Sequence, residues 1–485
     1  MDFWAFRRHY HNGISALSYL IPVGCPALYS TEKIRPPLKL PTIATTIATA
    51  REKRMDTKED VLAKYLGKDF LELPTPSFVI QENKFVANCK RMFENVQSLS
   101  TDTGKSIKFR AHIKTHKTVE GSLKQLGFGI VPQGQTISSI LVSTLKEAQG
   151  ILDYQDKTGV TYVTDICYSL PACVPEILQE LGELSKRVDY LRIFVDNVEH
   201  LDNLVKFGVP PSGKKWSLFV KVDMGTHRAG VASGTTEFDH LLAKITSPEV
   251  REVADLYGFY AHAGHSYSVG TIKDAHNILI EEITAVNNAA EEILKRNPEL
   301  GVGSLVLSVG ATPTSNSLKL EDETDLVALV KGGLKGQLEI HCGNYCMYDL
   351  QQLSTGCIEI QEVSGFVLGT VVSSYKSRNE MLTNTGVLCL TKEQSKIPGY
   401  GLVISTNNIL QKEAYDSKWY VNRLSQEHGI LKPRDGHSSA PLLKLGTKVA
   451  ILPQHACIVM NCFPYYFVVD DNGTVKDIWV PIRGW

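Results

Sequence analysis

An excess of charge of one sign is the first feature that this sequence lacks. Its 485 residues include 51 Lys and Arg against 52 Asp and Glu. A basic excess is typical of chains that bind nucleic acid or an anionic membrane surface, so this balance gives no support for either partner. The sequence also has no apolar run long enough to cross a bilayer. We therefore expect a small-molecule substrate, no nucleic acid and no membrane.

Clustered cysteines and nucleotide-binding motifs are missing as well. The ten cysteines are spread along the chain, unlike the dense pattern of a small secreted disulfide scaffold. This spread favours a reducing, cytoplasmic compartment, in which thiolates stay available for chemistry. Neither a P-loop nor a dinucleotide-binding glycine motif occurs, which argues against a nucleotide cofactor.

The first 54 residues differ in composition from the rest of the chain. They carry eight basic residues against three acidic ones and include the low-complexity stretch TIATTIATA. Two interpretations are open: a mitochondrial presequence, which would change the predicted location, or a disordered extension. We favour the extension, because the stretch MDTKEDVLAKYLGKDF, from Met55 onward, is already typical of folded protein.

Residues 105 to 345 alternate between short β-branched runs and amphipathic helical patterns. One such pattern, at 272–296, repeats apolar residues at steps of three and four: Leu279, Ile283, Val286, Ala290 and Ile293. The eight candidate strands are IKFRAHI, SILVST, TYVTD, LRIFVD, SLFVKVD, DLYGFYAH, SLVLSVG and QLEIHC. Eight strands separated by helices predict a parallel (β/α)8 barrel, a TIM-type α/β fold, within residues 55–350. In such barrels the chemistry takes place at the carboxyl ends of the strands.

The sequence pattern changes after residue 350. Strand-like runs separated by Gly, Pro and Lys cover residues 358–375, 384–390, 401–406 and 447–460. They predict a second, mainly β domain over residues 351–485. The opening segment of the 55–350 unit could pair with this domain.

Lys114 is the first candidate functional residue. In FRAHIKTHKT it follows Ile113 near the end of the first predicted barrel strand, among His112, His116 and Lys117. A lysine amine in a partly desolvated position can form a Schiff base with an aldehyde. The alternative is a surface cluster of basic residues that ends a strand.

Polar loops follow several later strands. VDMGTHRAGV, at 222–231, places Asp223 and Arg228 in a glycine-flanked turn that is either a ligand site or a structural turn. YAHAGHSY, at 260–267, is too polar for a core and too aromatic for a plain loop, which favours a ligand site. SVGATPT, at 308–314, and the loop that begins at Gly343 let backbone N–H groups approach an anion. Two such loops predict the phosphate of a compact cofactor.

Near the C-terminus, PQHAC places His455 and Cys457 two residues apart. If a strand begins after Pro453, both side chains point to the same face. The imidazole and thiol are then either metal ligands or two buried side chains. On its own the pair favours the second interpretation, because free cysteine is commonly buried.

Taken together, RAHIKTHK, YAHAGHSY, SVGATPT, HCGNYCMYDLQQ and PQHAC resemble the eukaryotic-type D-serine dehydratases (D-serine ammonia-lyases). The resemblance runs from about residue 60 to the final WVPIRGW. Members of this family are lyases that depend on pyridoxal 5'-phosphate and Zn²⁺ and have the alanine-racemase-like fold, also called fold type III. The resemblance implies conversion of D-serine to pyruvate and ammonia. It also implies a homodimer, with the β domain over the mouth of the barrel.

The resemblance further implies roles for individual residues. Lys114 would bind the cofactor and act in catalysis, and His455 and Cys457 would bind zinc. Two protein ligands are too few for a structural zinc site and leave positions for substrate and water. The other cofactor-binding residues implied are Tyr260, Tyr267, Gly310, Thr312, Gly343, Asn344 and Tyr345.

Proteins of the same fold leave alternatives open. D-Threonine aldolases have Asp where Cys457 stands here, so the thiol favours zinc and the dehydratase. A D-threo-3-hydroxyaspartate dehydratase and activity on D-threonine stay open, as does a non-catalytic protein that binds pyridoxal phosphate, although such carriers are typically single barrels. Glu427 or His428 either supports the metal site or belongs to a solvated loop.

Overall fold

The computed structural model describes residues 57–320, 324–406 and 415–485, so the predictions made for residues 1–54 lie outside it. The described chain begins with helix α1 (Lys58–Tyr65), strand β1 (Ser77–Gln81) and helix α2 (Glu82–Thr103). Helix α1 begins directly after Thr57, a residue type that is favoured at helix N-caps. The Thr57 side chain accepts the backbone N–H of Asp60 at 3.2 Å, which satisfies one of the free N–H groups of the first turn.

Eight parallel strands close into the predicted barrel. They are β2 (Lys108–His112), β3 (Ser139–Val142), β4 (Asp165–Tyr168), β5 (Tyr190–Val195), β6 (Trp216–Lys221), β7 (Ala254–Tyr260), β8 (Val306–Val309) and β9 (Gln337–Cys342). Strand β9 pairs in parallel with β2 and so closes the ring, which places His341 beside Arg110. The carboxyl ends of all eight strands therefore meet at one end of the barrel.

Helices occupy the connections between the barrel strands. In chain order they are α3 (Val119–Gln125), α4 (Leu145–Thr158), α5 (Pro175–Ser185), α6 (Val198–Phe207), α7 (Thr236–Ile245), α8 (Pro248–Val253), α9 (Ile272–Arg296), α10 (Thr312–Asn316) and α11 (Thr324–Lys331). The apolar face predicted for α9 is confirmed, because all the residues of its repeat are buried. Among the described residues, no helix is both long and apolar enough to cross a membrane.

The C-terminal residues form most of a nine-stranded sheet. Helix α12 (Leu350–Leu353) precedes the strands β10 (Gly365–Tyr375), β11 (Glu380–Thr383), β12 (Gly401–Ile404), β13 (Trp419–Leu424), β14 (Gly429–Pro433), β15 (Lys448–Pro453), β16 (Tyr466–Val469) and β17 (Val475–Trp479). Short helices α13 (Val387–Leu390) and α14 (Ala456–Val459) interrupt them. The remaining strand is β1, which pairs antiparallel with β10 and parallel with β16. A segment that precedes the barrel in sequence thus belongs to the interior of the β sheet.

Two strand predictions are wrong in detail. In TYVTD only Asp165 belongs to a strand, because the backbone N–H groups of Tyr162 and Val163 both donate to the side chain of Gln155, at 3.0 and 2.6 Å. Residues 384–390 end in helix α13 instead of forming a strand. β-Branched and apolar composition fits a buried loop or a helical turn as well as a strand, so the local pattern could not separate them.

Charged side chains fill the middle of the barrel. Arg110 is fully buried and pairs with Asp165 at 2.7 Å and with Glu339 at 3.0 Å. Arg192 pairs with the same Asp165 at 2.7 Å. Burial by itself raises the pKa of Asp165, but the two guanidinium groups hold it below its ordinary value. The charges compensate one another, as buried charges must.

Candidate active site

The carboxyl ends of the barrel strands surround a cavity of about 440 Å³, to which His455 and Cys457 of the β domain also contribute. The predicted site residues that line it are Lys114, Tyr260, Tyr267, Gly310, Thr312, Gly343, Asn344, His455 and Cys457. A larger cavity, of about 1300 Å³, opens at the amino ends of the strands, but it contains none of the predicted site residues. The site predicted from sequence is therefore gathered at the catalytic end of the barrel.

Tyr345 is the predicted cofactor residue that does not line this cavity. Its side chain is fully buried and packs edge-on against Phe109, with the ring centroids 5.8 Å apart. The neighbouring Asn344 does line the cavity. The Tyr345 ring therefore anchors the loop after β9 in the core, on the side away from the cavity.

The basic stretch around Lys114 is divided between the cavity and the interior. Lys114 lies two residues beyond the end of β2 and lines the cavity, as does His112. His116 is turned into the core, where burial lowers its pKa to about 4. Lys117 pairs with Glu147 at 3.1 Å. Of the two lysines in the stretch, Lys114 is thus the one whose amine can meet a ligand.

Positive charge dominates the cavity. Lys114, Lys221 and Arg228 line it, whereas no Asp or Glu of the described residues does. Lys221 ends β6, and burial together with Arg228 lowers its pKa to about 8. Asp223 instead holds its own turn, since its Oδ1 accepts the backbone N–H groups of residues 225–227 at 3.0 to 3.1 Å. The cavity therefore suits an anionic ligand such as a phosphate or a carboxylate.

Aromatic rings form one wall of the cavity. The ring of His341 stacks on that of Tyr260, with the centroids 4.1 Å apart and the planes 10° apart. Burial raises the pKa of Tyr260 and of Tyr267, so both phenols stay neutral. Neither His341 nor Lys221 was predicted as a site residue from sequence. Lys221 ends β6 and His341 is the penultimate residue of β9, in runs that are also typical of ordinary core strands. Only closure of the barrel shows that both face the site.

One buried carboxyl group holds two loops of the cavity. Glu282, on α9, accepts the backbone N–H of Ala263 at 2.6 Å and the hydroxyl of Thr314 at 2.8 Å. Desolvation raises its pKa to about 7. The loops after β7 and β8 are thereby fixed to the same side chain. Sequence reasoning missed Glu282, because a single acid in an amphipathic helix usually faces water.

Replacing Gly310 with Ala is expected to distort the loop after β8. Gly310 has φ +146°, and an added Cβ would lie 2.0 Å from the carbonyl oxygen of His341. A methyl group forced that close to a backbone oxygen requires a backbone shift that costs about 1–3 kcal/mol, so the melting temperature should fall by several degrees. Gly301→Ala is the matched control, because Gly301 has φ +68° and no atom within 4 Å of the added Cβ. Equal melting temperatures for the two variants, measured by calorimetry, would contradict the expectation.

His455 and Cys457 reach the cavity from a turn. Strand β15 ends at Pro453, and His455 immediately precedes helix α14, so the expectation that a strand begins after Pro453 is wrong. The N–H of Ala456 donates to the Asp349 carboxylate at 2.8 Å instead of to a neighbouring strand. Both side chains nevertheless line the same cavity.

Electrostatics favours a thiolate at Cys457. Burial alone raises the pKa of Cys457, but His455 and Lys114 bring it below its ordinary value. Burial alone lowers the pKa of His455, but Cys457, Asp349 and Glu393 raise it to about 9. The thiolate is the form of cysteine that binds metals.

In the described ranges, no third protein ligand for a metal joins His455 and Cys457. Within the described part of the chain, no group of three or more His, Cys, Asp and Glu side chains is placed to hold an ion. Glu427 and His428 are exposed and do not line the cavity, which favours a solvated loop. The carboxylate that lies near His455 is that of Glu393, 3.9 Å from Nδ1. A metal bound here would keep open positions.

Asp349 connects the His455–Cys457 turn to the barrel. Its Oδ2 accepts the side-chain amide of Asn344 at 2.6 Å and the backbone N–H of Ala456 at 2.8 Å. Asn344 lines the cavity, and Ala456 stands between His455 and Cys457. This fully buried carboxylate therefore sets the position of the turn relative to the loop after β9.

Two family models match the chain. The alanine racemase N-terminal domain matches residues 87–328, and the putative serine dehydratase domain matches residues 364–469. The first match falls on the barrel and the second on the β domain.

Curated relatives and solved structures match over most of the chain. The D-serine dehydratase of Saccharomyces cerevisiae is 56% identical over 426 residues, which cover 88% of this chain and 100% of that protein. The D-serine dehydratase of Schizosaccharomyces pombe is 40% identical over 434 residues, 88% of this chain and 96% of that one. The structure of D-threo-3-hydroxyaspartate dehydratase from Delftia sp. HT23 is 28% identical, with a TM-score of 0.68 over 86% of this chain and 100% of that chain. Two further structures of that enzyme carry a His-to-Ala and a Cys-to-Ala change two residues apart, the latter in the metal-free form.

Proposed function

The chain belongs to the D-serine dehydratase family of alanine-racemase-like lyases, and from this premise we propose that it converts D-serine to pyruvate and ammonia. We further propose that pyridoxal 5'-phosphate is held at Lys114 and Zn²⁺ at His455 and Cys457. One observation carries the proposal. Lys114 and the His455–Cys457 turn, far apart in sequence, line the same cavity.

The cavity fits pyridoxal phosphate. Lys114 presents an amine for the aldehyde group, and Lys221 and Arg228 add positive charge that no carboxylate in the cavity wall offsets among the described residues. The buried Nε2 of His341 and Oδ1 of Asn344 have no hydrogen-bond partner there, so a ligand would satisfy them. When bound, the cofactor supplies an electron sink for the α-carbon of an amino acid.

The His455–Cys457 turn fits zinc. Imidazole nitrogen and thiolate sulfur are both common zinc ligands. In the Delftia relative, the His-to-Ala and Cys-to-Ala changes have the spacing of His455 and Cys457, which supports the assignment. When bound, zinc acts as a Lewis acid for the β-hydroxyl of the substrate, which is a poor leaving group.

Residues of the chain supply the remaining steps. Lys114 is the base placed to take the α-proton of D-serine. Lys221 and Arg228 bind anionic groups, the phosphate of the cofactor and the carboxylate of the substrate. The apolar rings of Tyr260 and Tyr267 exclude water from the reacting atoms, which strengthens these charge interactions. Because the base Lys114 and the zinc ligands His455 and Cys457 line the same cavity, a proton can leave the α-carbon of D-serine and a hydroxide its β-carbon.

Two related activities differ in how well they fit the site. D-threo-3-Hydroxyaspartate, the substrate named for the Delftia relative, has a second carboxylate, and the pair of cations Lys221 and Arg228 would accept it. D-Threonine aldolase is disfavoured by the thiol of Cys457. The non-catalytic alternative is set aside, because the relatives at 56% and 40% identity are enzymes.

Assembly and location are further proposals. The family resemblance supports a homodimer, and the cysteine distribution supports a cytoplasmic protein. Light scattering should give about twice the chain mass of 53.7 kDa. A single-chain mass would contradict the dimer.

The test of the function is pyruvate formation from D-serine by the purified protein, measured before and after chelation and again with zinc restored. We expect activity to fall with the chelator and return with zinc. D-Threonine and D-threo-3-hydroxyaspartate are assayed in parallel. No pyruvate from D-serine by protein that carries pyridoxal phosphate would overturn the proposal, and glycine released from D-threonine would identify the aldolase instead.

Removing the Asp349 carboxylate is expected to loosen the zinc site. Without it the N–H of Ala456 loses its acceptor, so the turn that holds both metal ligands is free to shift. Loss of such a supporting group typically costs about 10–100-fold in metal affinity. The measurement is zinc transfer from Asp349→Ala to a chromogenic chelator. Asp470→Ala is the control, because that carboxylate also accepts backbone N–H groups (of Asn472 and Thr474, each at 2.9 Å) but lies in another turn. Equal transfer rates in the two variants would contradict the role.

A further inference from the structure

A row of buried polar groups runs from the middle of the barrel to the wall of the cavity. Arg110 donates to both oxygens of Glu339, at 3.0 and 3.1 Å. Glu339 Oε1 lies 2.8 Å from the hydroxyl of Ser308, and that hydroxyl lies 3.0 Å from Nδ1 of His341. All four residues are at most 2% exposed. The row ends at the ring of His341, which lines the cavity.

Counting hydrogens along this row fixes the tautomer of His341. Both oxygens of Glu339 accept from Arg110 in a two-pronged contact, so Glu339 acts as an acceptor toward Ser308 as well. The single hydroxyl proton of Ser308 must therefore go to Glu339. Ser308 then accepts from His341, which places the ring proton on Nδ1 and leaves Nε2 with a bare lone pair.

The neighbouring groups agree with this assignment. Burial, with added repulsion from His262, Lys221 and Arg110, lowers the pKa of His341, so the ring carries one proton. The carbonyl oxygen of Gly310 lies near His341, but its hydrogen bond comes from Nδ1 of His262 at 2.8 Å, and none joins it to Nε2 of His341. Nε2 of His341 is buried and has no partner among the described residues.

We propose that Nε2 of His341 accepts a hydrogen bond from the protonated ring nitrogen of pyridoxal phosphate, and that Glu339, acting through Ser308, is the positioning residue that keeps this acceptor free. This inference rests on the cofactor of the proposed function. The phosphate and phenolate oxygens of the cofactor only accept, and its aldehyde is consumed by Lys114. The ring N–H is the cofactor donor that can satisfy the lone pair. The contact would favour the protonated pyridine ring of the cofactor, which is a stronger electron sink than the neutral ring.

The tautomer is tested on the full chain with ¹⁵N-labelled histidine, first with its cofactor and then after the cofactor is removed. Protonated and bare imidazole nitrogens have well-separated ¹⁵N shifts, and His341→Gln identifies the signal. We expect His341 to be protonated at Nδ1 in both forms, and Ser308→Ala to move the proton to Nε2. Ser143→Ala is the matched control, because Ser143 makes the same kind of contact to another cavity histidine, at 2.9 Å from Nε2 of His112. A proton on Nε2 in the parent chain, or no change in Ser308→Ala, would overturn the inference.

The ligand contact is tested separately. Adding pyridoxal phosphate should shift the Nε2 resonance of His341 toward that of a hydrogen-bonded acceptor. His341→Ala should weaken cofactor binding, measured by absorbance titration, by roughly tenfold or more, the typical effect of losing a hydrogen bond to a charged group. An unchanged resonance on cofactor binding would overturn the contact. Neither readout needs zinc or turnover, so failure here is distinct from failure of the proposed dehydratase activity.

Discussion

Replacement of Lys114 by Ala is expected to abolish both pyruvate formation and the visible absorbance of the bound cofactor. The amine of Lys114 has two functions in the proposed mechanism: it attaches the cofactor and takes the α-proton. Loss of a positioned base alone costs about 10²–10⁴-fold in rate, and loss of the covalent attachment adds to it. Absorption spectroscopy and a coupled pyruvate assay on the same sample measure the two effects together.

Two other lysines serve as controls. Lys117→Ala should keep absorbance and activity, because Lys117 pairs with Glu147 away from the cavity. Lys221 is the stronger competitor, since it lines the cavity and its pKa is lowered to about 8, which gives a sizeable neutral fraction near that pH. Lys221→Ala should keep the absorbance even if turnover falls. Activity of Lys114→Ala without an added amine would show that the cofactor is attached to a residue other than Lys114. Loss of the absorbance in Lys221→Ala but not in Lys114→Ala would show the same.

The barrel was predictable from sequence because most of its strands can be recognised alone. A buried parallel strand is a short β-branched run wherever it stands, and the intervening helices show their own period. Strand β1 was different. Its placement between β10 and β16 depends on pairing with residues far along the chain, and no local pattern carries that information. The sequence allowed the opening segment to pair with the β domain but could not identify the partner strands.

The candidate site was predictable where a motif carries its own chemistry and not where a residue acts through others. Lys114, His455 and Cys457 stand in stretches whose composition is unusual. Glu282 stands in an ordinary amphipathic helix. Asp349 lies within HCGNYCMYDLQQ but was not predicted as a site residue. The importance of both comes from the distant backbone N–H groups that they accept. Burial of a carboxylate is a property of the folded chain, so single-sequence reasoning expects such residues in solvent.

The pair His455 and Cys457 shows that a correct grouping can come from a wrong local geometry. Both residues were predicted to lie on one face of a strand, whereas they flank Ala456 in the turn that follows β15. Tertiary contacts bring them together. Ala456 is anchored to Asp349, and Cys457 Sγ lies 3.0 Å from the hydroxyl of Thr115, the residue after Lys114. His455 and Cys457 are thus attached to the barrel loop that carries Lys114.

Replacing His455 by Ala is expected to stop elimination while leaving proton removal intact. In the proposed mechanism Lys114 takes the α-proton, and the metal is needed only for the β-hydroxyl to leave. Hydroxide is a poor leaving group without a Lewis acid, so the activation barrier should rise by several kcal/mol. The rate of pyruvate formation from D-serine should therefore fall about 10³-fold or more. D-Alanine has no β-hydroxyl, so exchange of its α-hydrogen in D₂O, followed by NMR, should continue near the parent rate.

The comparison of the two substrates separates the role of the metal from damage to the fold. Cys457→Ala should behave as His455→Ala does, and added zinc should restore neither. Cys462→Ala is the control for loss of a thiol, because Cys462 is exposed and does not line the cavity; it should keep both activities. If both reactions fell together in His455→Ala, the turn would be needed to build the cofactor site. If pyruvate formation survived, the metal would not assist the leaving group, and the acid for the hydroxyl would have to be sought among His112, His262 and Tyr267 on the same cavity.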